Sequence, residues 1–406
     1  MGREIKANPD AAGLNPAQLE RIGTHLRTRY IEPGKLAGCQ TVVARGGTIG
    51  YYDALGLADR ERGIPIAEDT IWRIYSMTKP ITGVALMQLY EQGHFQLSDP
   101  VHRFIPELGG VKVKERGTDG EHRLVDPARP ISVRDALMHM TGFGLGTMGV
   151  NLSAGEGGDF LHGDHDLESV CASLGERPLD FHPGTHWAYG ISTDICARIV
   201  EVISGRTFDD YLRTEIFEPL GMVDTAFSVS DDQAERFAAC YRRASDKSLK
   251  IQDDPETSPY RRPHTMFSGG GGLVSTMTDY VRFAQMLLNG GELDGTRILG
   301  RKTVELMTTN HLPEGGDMAD FAVPGGYGEV GFDGMGFGLT MAVSLGPART
   351  AQIGSAGDFM WGGMASTTFW CDPVEDLLVV FMTQLIPSGT YNFRAQLKSL
   401  VYPALL

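Results

Sequence analysis

Segments that read as β-strands fall at the two ends of this 406-residue chain, and a long stretch dominated by helical spacing separates them. Gly38 to Leu57 alternates β-branched and small residues about Arg45-Gly46-Gly47, which predicts a helix followed by two strands joined at a glycine turn. Near the other end, Phe337 to Leu345, Ser366 to Cys371 and Leu377 to Met382 read as strands, and Tyr391 to Leu400 as a closing helix. Between them, Val84, Met87, Leu89 and Tyr90 mark one side of a helix that starts at or beside Ser76 and ends at Gly93. Ser132 to Met138 and Asp194 to Ile203, the latter stopped by Gly205, add further helix signals, with a glycine-rich loop from Gly142 to Gly158. A strong helix from Thr278 to Leu288 follows Gly269 to Gly272. Strands divided in this way predict one sheet built from both chain ends, in an α/β (α+β) protein. The implied units are an α/β sheet domain over 1–75 and 265–406 and a mainly helical domain over 76–264, with the active site between them.

Charge narrows the function classes. The net charge is −15 and Lys and Arg are scattered, so no basic stripe exists to neutralise a phosphate backbone, and nucleic acid is excluded as a partner. An acidic surface favours neutral over phosphorylated substrates. No run of eighteen apolar residues is present and the N-terminus lacks the apolar stretch of a signal peptide, which predicts no membrane span and a cytoplasmic location. Lys6 breaks the myristoylation pattern. The five cysteines, Cys39, Cys171, Cys196, Cys240 and Cys371, form no C-x-x-C and are far apart, so reduced buried thiols are expected, with no zinc site.

The chemistry is concentrated at Ser76-Met77-Thr78-Lys79. A serine leading a helix, with a lysine three residues on, puts both side chains on one face, where the amine can take or steer the hydroxyl proton. The helix N-terminus adds free N–H groups and a positive dipole end, suited to a developing oxyanion. Alone, the tetrapeptide arises often by chance and marks an N-cap with a solvated lysine. Its flanks alter that balance: Ile71 to Tyr75 is an apolar approach and Pro80 sits in the first turn.

With those flanks the segment resembles the active-site motif of the serine β-lactamase and penicillin-binding-protein superfamily, and in particular of family VIII carboxylesterases. Phe181 to Asp194, which contains Pro183-Gly184 and Tyr189, resembles the second motif, where a tyrosine carries the proton; a neighbouring ammonium favours its phenolate. Trp361-Gly362-Gly363-Met364 resembles the third, Trp-x-Gly, motif. Ser268 to Tyr280 and Leu137 to Gly142 resemble recurring segments that serve structure. The resemblance spans Leu36 to Val380 and implies a β-lactamase-like fold with an antiparallel sheet flanked by helices. It further implies catalytic Ser76, Lys79 and Tyr189, an oxyanion hole from the backbone N–H groups of Ser76 and Met364, and substrate contacts at Trp361, Gly362, Gly363 and Ile191. Whether Lys79 or Tyr189 is the primary base is left open.

Two positions depart from the penicillin-recognising pattern: Ile191 replaces an asparagine, and Trp361 replaces a cationic residue. Both departures imply a carboxylesterase for small neutral esters with weak β-lactamase activity, needing no cofactor or metal. A β-lactamase, D-amino-acid peptidase or acyltransferase of the same fold is the first alternative, and a non-catalytic ligand-binding relative the second. Other patterns carry less. Gly144 to Gly149 matches G-x-G-x-x-G but follows a helical segment rather than a strand, so no dinucleotide site is expected. His162 and His165 lie in a glycine-rich loop without a further ligand set and read as solvated. No G-x-S-x-G is present; Asn151 to Gly155 lacks the first glycine, which argues against an α/β-hydrolase.

Overall fold

The two separated groups of strands meet in a single sheet. The computed structural model describes residues 5–144, 161 and 163–406. From the N-terminal part come β1 (Gly38–Arg45), β2 (Thr48–Asp59) and β3 (Ile64–Pro65). From the C-terminal part come β4 (Met335–Phe337), β5 (Ala342–Ser344), β6 (Phe359–Gly362), β7 (Thr368–Asp372) and β8 (Leu377–Thr383). The order is β4-β5-β6-β7-β8-β1-β2-β3, antiparallel throughout. The seam is β1 against β8, running from Cys39 opposite Thr383 to Arg45 opposite Leu377.

Five helices matter for the site: α1 (Pro16–Leu26), α2 (Thr78–Glu91), α3 (Ser192–Ser204), α4 (Met277–Leu288) and α5 (Phe393–Val401). Every residue of β8 is buried, which requires cover on both faces of the sheet. The register shows how the cover is divided. Phe381 meets Phe393 of α5, with ring centroids 5.4 Å apart. Its neighbour Val380 points to the opposite face and stands across from Phe369, whose ring lies 5.2 Å from Tyr280 of α4. α1 packs beside α5.

Several sequence expectations are refined. Phe337 to Leu345 is not one strand: Thr340, with φ 72°, lies in the turn between β4 and β5, which pair from Met335–Ser344 to Phe337–Ala342. The Trp361 motif lies on a strand of its own, β6. The helix expected at Ser76 begins with a 3-10 turn, Tyr75–Met77, and α2 is buried from Thr78 through Met87 rather than on one side, with α3 packed against it. The helical middle also holds two hairpins, Val113–Arg116 with His122–Val125 and Cys240–Arg243 with Leu249–Asp253, whose short strands give little periodic signal. The five cysteines are buried and unpaired. Among the described residues no helix is long and apolar enough to cross a membrane, and no group of three or more His, Cys, Asp or Glu is placed to hold a metal ion. Most of the Gly144 to Gly149 pattern, Asn151 to Gly155 and His162 lie outside the described residues.

One ion pair fastens α5 to the strand that carries the third motif. Lys398 donates to both oxygens of Asp358, at 3.0 and 2.8 Å, and both side chains are buried. Removing one partner leaves the other charge uncompensated, which costs more than the pair itself contributes. Lys398→Met is therefore expected to lower unfolding stability by about 3–5 kcal/mol in urea titration. The double variant Lys398→Met with Asp358→Leu should recover most of that loss; no recovery would show that the pair does not act as a unit.

Candidate active site

The strand Ile71–Arg73 pairs with Val274–Thr276, and the Ile74 N–H donates to the Leu273 carbonyl at 3.1 Å. This pairing draws the start of α2 alongside the glycine run Gly269 to Gly272. Tyr75 then adopts φ 43°, a left-handed conformation that non-glycine residues seldom hold, and Ser76 follows in the 3-10 turn. Three residues on, Lys79 lies on the same face of α2, and its Nζ is 3.2 Å from Ser76 Oγ. The amine also donates to the Gly270 carbonyl at 2.5 Å.

Tyr189 reaches the same oxygen from the helical region. Its segment is pinned by the Trp187 N–H to Phe321 carbonyl bond (2.7 Å) and the Ala188 N–H to His139 carbonyl bond (2.9 Å). The Tyr189 hydroxyl donates to Ser76 Oγ at 2.5 Å, and the Lys79 ammonium stands 4.5 Å from the centroid of the Tyr189 ring. Three side chains singled out in the sequence thus meet at one atom. Lys79 and Tyr189 are each 3% exposed, while Ser76, at 8%, is the most accessible of the three.

Burial sets the electrostatics. It pulls the Lys79 amine down to about 8, against the opposing influence of the Asp194 and Glu329 carboxylates. It pushes the Tyr189 phenol well above its ordinary value, reinforced by Glu329 and opposed by the bond to Ser76. Near neutral pH the tyrosine therefore holds its proton, and an appreciable fraction of Lys79 is without one. His139, packed 5.0 Å from the Tyr189 ring, is held neutral by burial and by the neighbouring lysine. Neither of its ring nitrogens has a hydrogen-bond partner among the described residues.

The third motif flanks the serine on the sheet side. At Gly363 an added Cβ would collide with the Ile74 carbonyl and the Thr367 hydroxyl, so only glycine lets this strand end approach the turn before Ser76. Met364 follows, and among the described residues its N–H goes to no backbone acceptor. Trp361 is fully buried, its ring 5.8 Å from Tyr189 and 5.4 Å from Phe337. Ile191, at the N-cap of α3, is 1% exposed. Both apolar side chains pack into the core around Tyr189.

Long-range packing adds groups that sequence spacing did not reveal. Arg394 of α5 lies where a Gly362 side chain would be, and donates to Glu329 at 2.7 Å and to the Thr367 carbonyl at 3.3 Å. A cation absent from the Trp361 position thus arrives from another element, already paired with a buried carboxylate. Glu329 also accepts from Tyr327 at 2.8 Å, and the Tyr327 ring lies 5.7 Å from that of Tyr189. Tyr327, Glu329, Ser388, Asn392 and Arg394 line a cavity of about 290 Å³ on this side. Asp194 was within a motif segment, but its position near Lys79 depends on a turn formed by the distant residues Ser268 to Gly270.

A family model described as Beta-lactamase matches residues 26–400. The chain is 32% identical, over 88% of each sequence, to an uncharacterized protein of Mycobacterium tuberculosis (strain CDC 1551 / Oshkosh). It is 29% identical, over 94% of each, to the esterase EstB of Burkholderia gladioli. Among solved structures, EstCE1, described as a hydrolase with promiscuous acyltransferase activity, superposes with a TM-score of 0.78 at 25% identity, covering 95% of this chain and 99% of that one. With the family model spanning nearly all of its length and a matching fold, this chain belongs to the β-lactamase family and is a serine hydrolase of that fold.

Proposed function

We propose that this protein is a carboxylesterase that hydrolyses small neutral esters through an acyl-enzyme on Ser76. The observation that carries the reading is the convergence on Ser76 Oγ of the Tyr189 hydroxyl at 2.5 Å and the Lys79 amine at 3.2 Å. As Ser76 Oγ bonds to the ester carbonyl carbon, neutral Lys79 takes its proton, and the Ser76 and Met364 N–H groups hold the oxyanion. Tyr189, which retains its proton, gives it to the departing alkoxide and recovers one from Lys79. Water then attacks the acyl group, its proton passes to the same pair, and Ser76 leaves with its hydroxyl restored. The proton states favour Lys79 as the base and Tyr189 as the acid in the first step.

The neutral substrate class is supported by three features. Ile191 has no polar atom and Trp361 only an uncharged indole N–H in place of the missing amide and cation, and Arg394 is already engaged by Glu329. The similarity to a protein named an esterase supports the ester bond as the target. The description of EstCE1 favours a second reading, transfer of the acyl group to an alcohol in place of water. Adding a short alcohol to the assay separates them: a new ester product forming faster than acid would favour transfer.

Ser76→Ala is expected to abolish hydrolysis of p-nitrophenyl butyrate while costing only about 1 kcal/mol of stability. Lys79→Ala and Tyr189→Phe should each lower kcat by roughly a thousandfold, and the double variant by little more, since members of one relay act together. Residual Ser76→Ala activity within tenfold of wild type would assign the nucleophile elsewhere.

The pH profile follows from the direction of the Lys79 shift. Because the neutral amine is the working form, kcat/KM for the ester should climb with pH through a midpoint at about 8. A midpoint near 10, where an ordinary lysine titrates, would contradict Lys79 as the base.

With Arg394 already paired to Glu329, a β-lactam carboxylate loses a charge-assisted hydrogen bond worth roughly 1.5–3 kcal/mol. The four-carbon p-nitrophenyl ester should therefore exceed nitrocefin by at least about tenfold in kcat/KM, once both are corrected for uncatalysed rates. Nitrocefin equalling the ester would replace the esterase reading by a β-lactamase.

A further inference from the structure

Asp194, in the first turn of α3, is a carboxylate only 2% exposed. One of its oxygens accepts from the Ser268 hydroxyl at 2.6 Å and from the Gly270 N–H at 3.2 Å, while Ser268 Oγ also accepts from the same N–H at 3.2 Å. The carbonyl of that same glycine receives the Lys79 ammonium. A single residue, Gly270, thus stands between the buried carboxylate and the buried amine. A Cβ on it would come within 2.7 Å of the other Asp194 oxygen, so the carboxylate packs directly against the glycine backbone.

The charges around the pair are asymmetric. Facing Lys79 are Asp194, Glu329, the Tyr189 phenol and the neutral imidazole of His139. Glu329 already has a cation of its own in Arg394. Among the described residues Asp194 has only hydroxyl and amide donors at bonding distance, and its charge is felt by Lys79 and by the thiols of Cys171 and Cys196, which burial keeps protonated. An ionised carboxylate held inside a protein without a cation is costly, and Lys79 is the charge that offsets it.

We propose that Asp194 is a positioning residue for Lys79: through the Ser268–Gly270 turn it fixes the carbonyl that holds the amine beside Ser76, and it supplies the buried anion opposite the ammonium. The proposal deepens the esterase reading and rests on Lys79 acting at Ser76. In its absence the amine would lose its proton more readily, since burial alone already lowers its affinity for one.

The test is the rate of covalent labelling of Ser76 by a fluorophosphonate as a function of pH, followed by intact mass, which needs no knowledge of the natural ester. Wild type, Asp194→Asn, Asp194→Ser and the exchange Asp194→Ser with Ser268→Asp are compared. In both single variants the midpoint should move to lower pH by about one unit or more, as expected when an opposite charge a few ångströms away is removed. The exchange, which returns a carboxylate to the same hydrogen-bonded pair, should bring the midpoint most of the way back. A midpoint unmoved in a folded single variant overturns the proposal. So does failure of both single variants to fold, which would make the residue structural only. If wild type is not labelled at Ser76, or its profile has no midpoint near 8, the esterase mechanism itself fails and this inference falls with it.

Discussion

A primary amine buried inside a helix that is itself buried over most of its length is the constraint on which the rest of the site depends. Taking an ammonium out of water costs several kcal/mol unless neighbours compensate it. Here the compensation is built in layers: the Gly270 carbonyl and the Tyr189 ring touch the amine, and the Asp194 and Glu329 carboxylates act on it through their charge. The balance leaves the lysine near the pH at which it can both hold and release a proton, which a solvated lysine does not do. The same burial keeps Tyr189 protonated. One physical cause therefore separates the proton states of the two partners of Ser76, the separation on which the proposed base and acid roles rest.

The sheet explains why such an arrangement is rigid. β1 and β8 come from opposite ends of the chain and are bonded along their whole length, so the sheet closes only when both ends have folded. β6 carries Trp361 to Gly362 within the same sheet, next to β7. The Lys398–Asp358 pair ties its entrance to α5, and Arg394 of that helix packs against its last glycine. On the other side, the Ile71–Arg73 and Val274–Thr276 pairing carries the glycine run to Lys79. The groups that meet at Ser76 are thus hung on backbone hydrogen bonds rather than on free loops, as the proposed proton transfer over about 3 Å requires.

The setting of the site bears on the proposed specificity. Trp361 and Ile191 are packed into the core around Tyr189, and neither carries a charge. The cation that does reach this side, Arg394, is bound to Glu329, so its charge is largely cancelled before any ligand arrives. On the proposed reading, such a site would discriminate against carboxylates by withholding a partner for them.

Much of this was legible in the sequence. The helix bearing Ser76 and Lys79, the hairpin of β1 and β2, the strands β7 and β8 and the helices α3 and α4 follow from local spacing, capping and glycine stops, which act over a few residues. The i, i+3 relation of Ser76 and Lys79 is a property of any helix, so their proximity was determined by the sequence alone. The division of Phe337 to Leu345 into two strands was not, because it depends on a turn at Thr340 fixed by packing. Nor could spacing reveal that Asp194 would face Lys79 through Gly270, or that Arg394 would arrive beside Gly362 already paired with Glu329. Those contacts join residues from distant parts of the chain, and a charge felt across them depends on distance and burial. Both quantities exist only once the two ends have closed into one sheet and water has been excluded from between the elements.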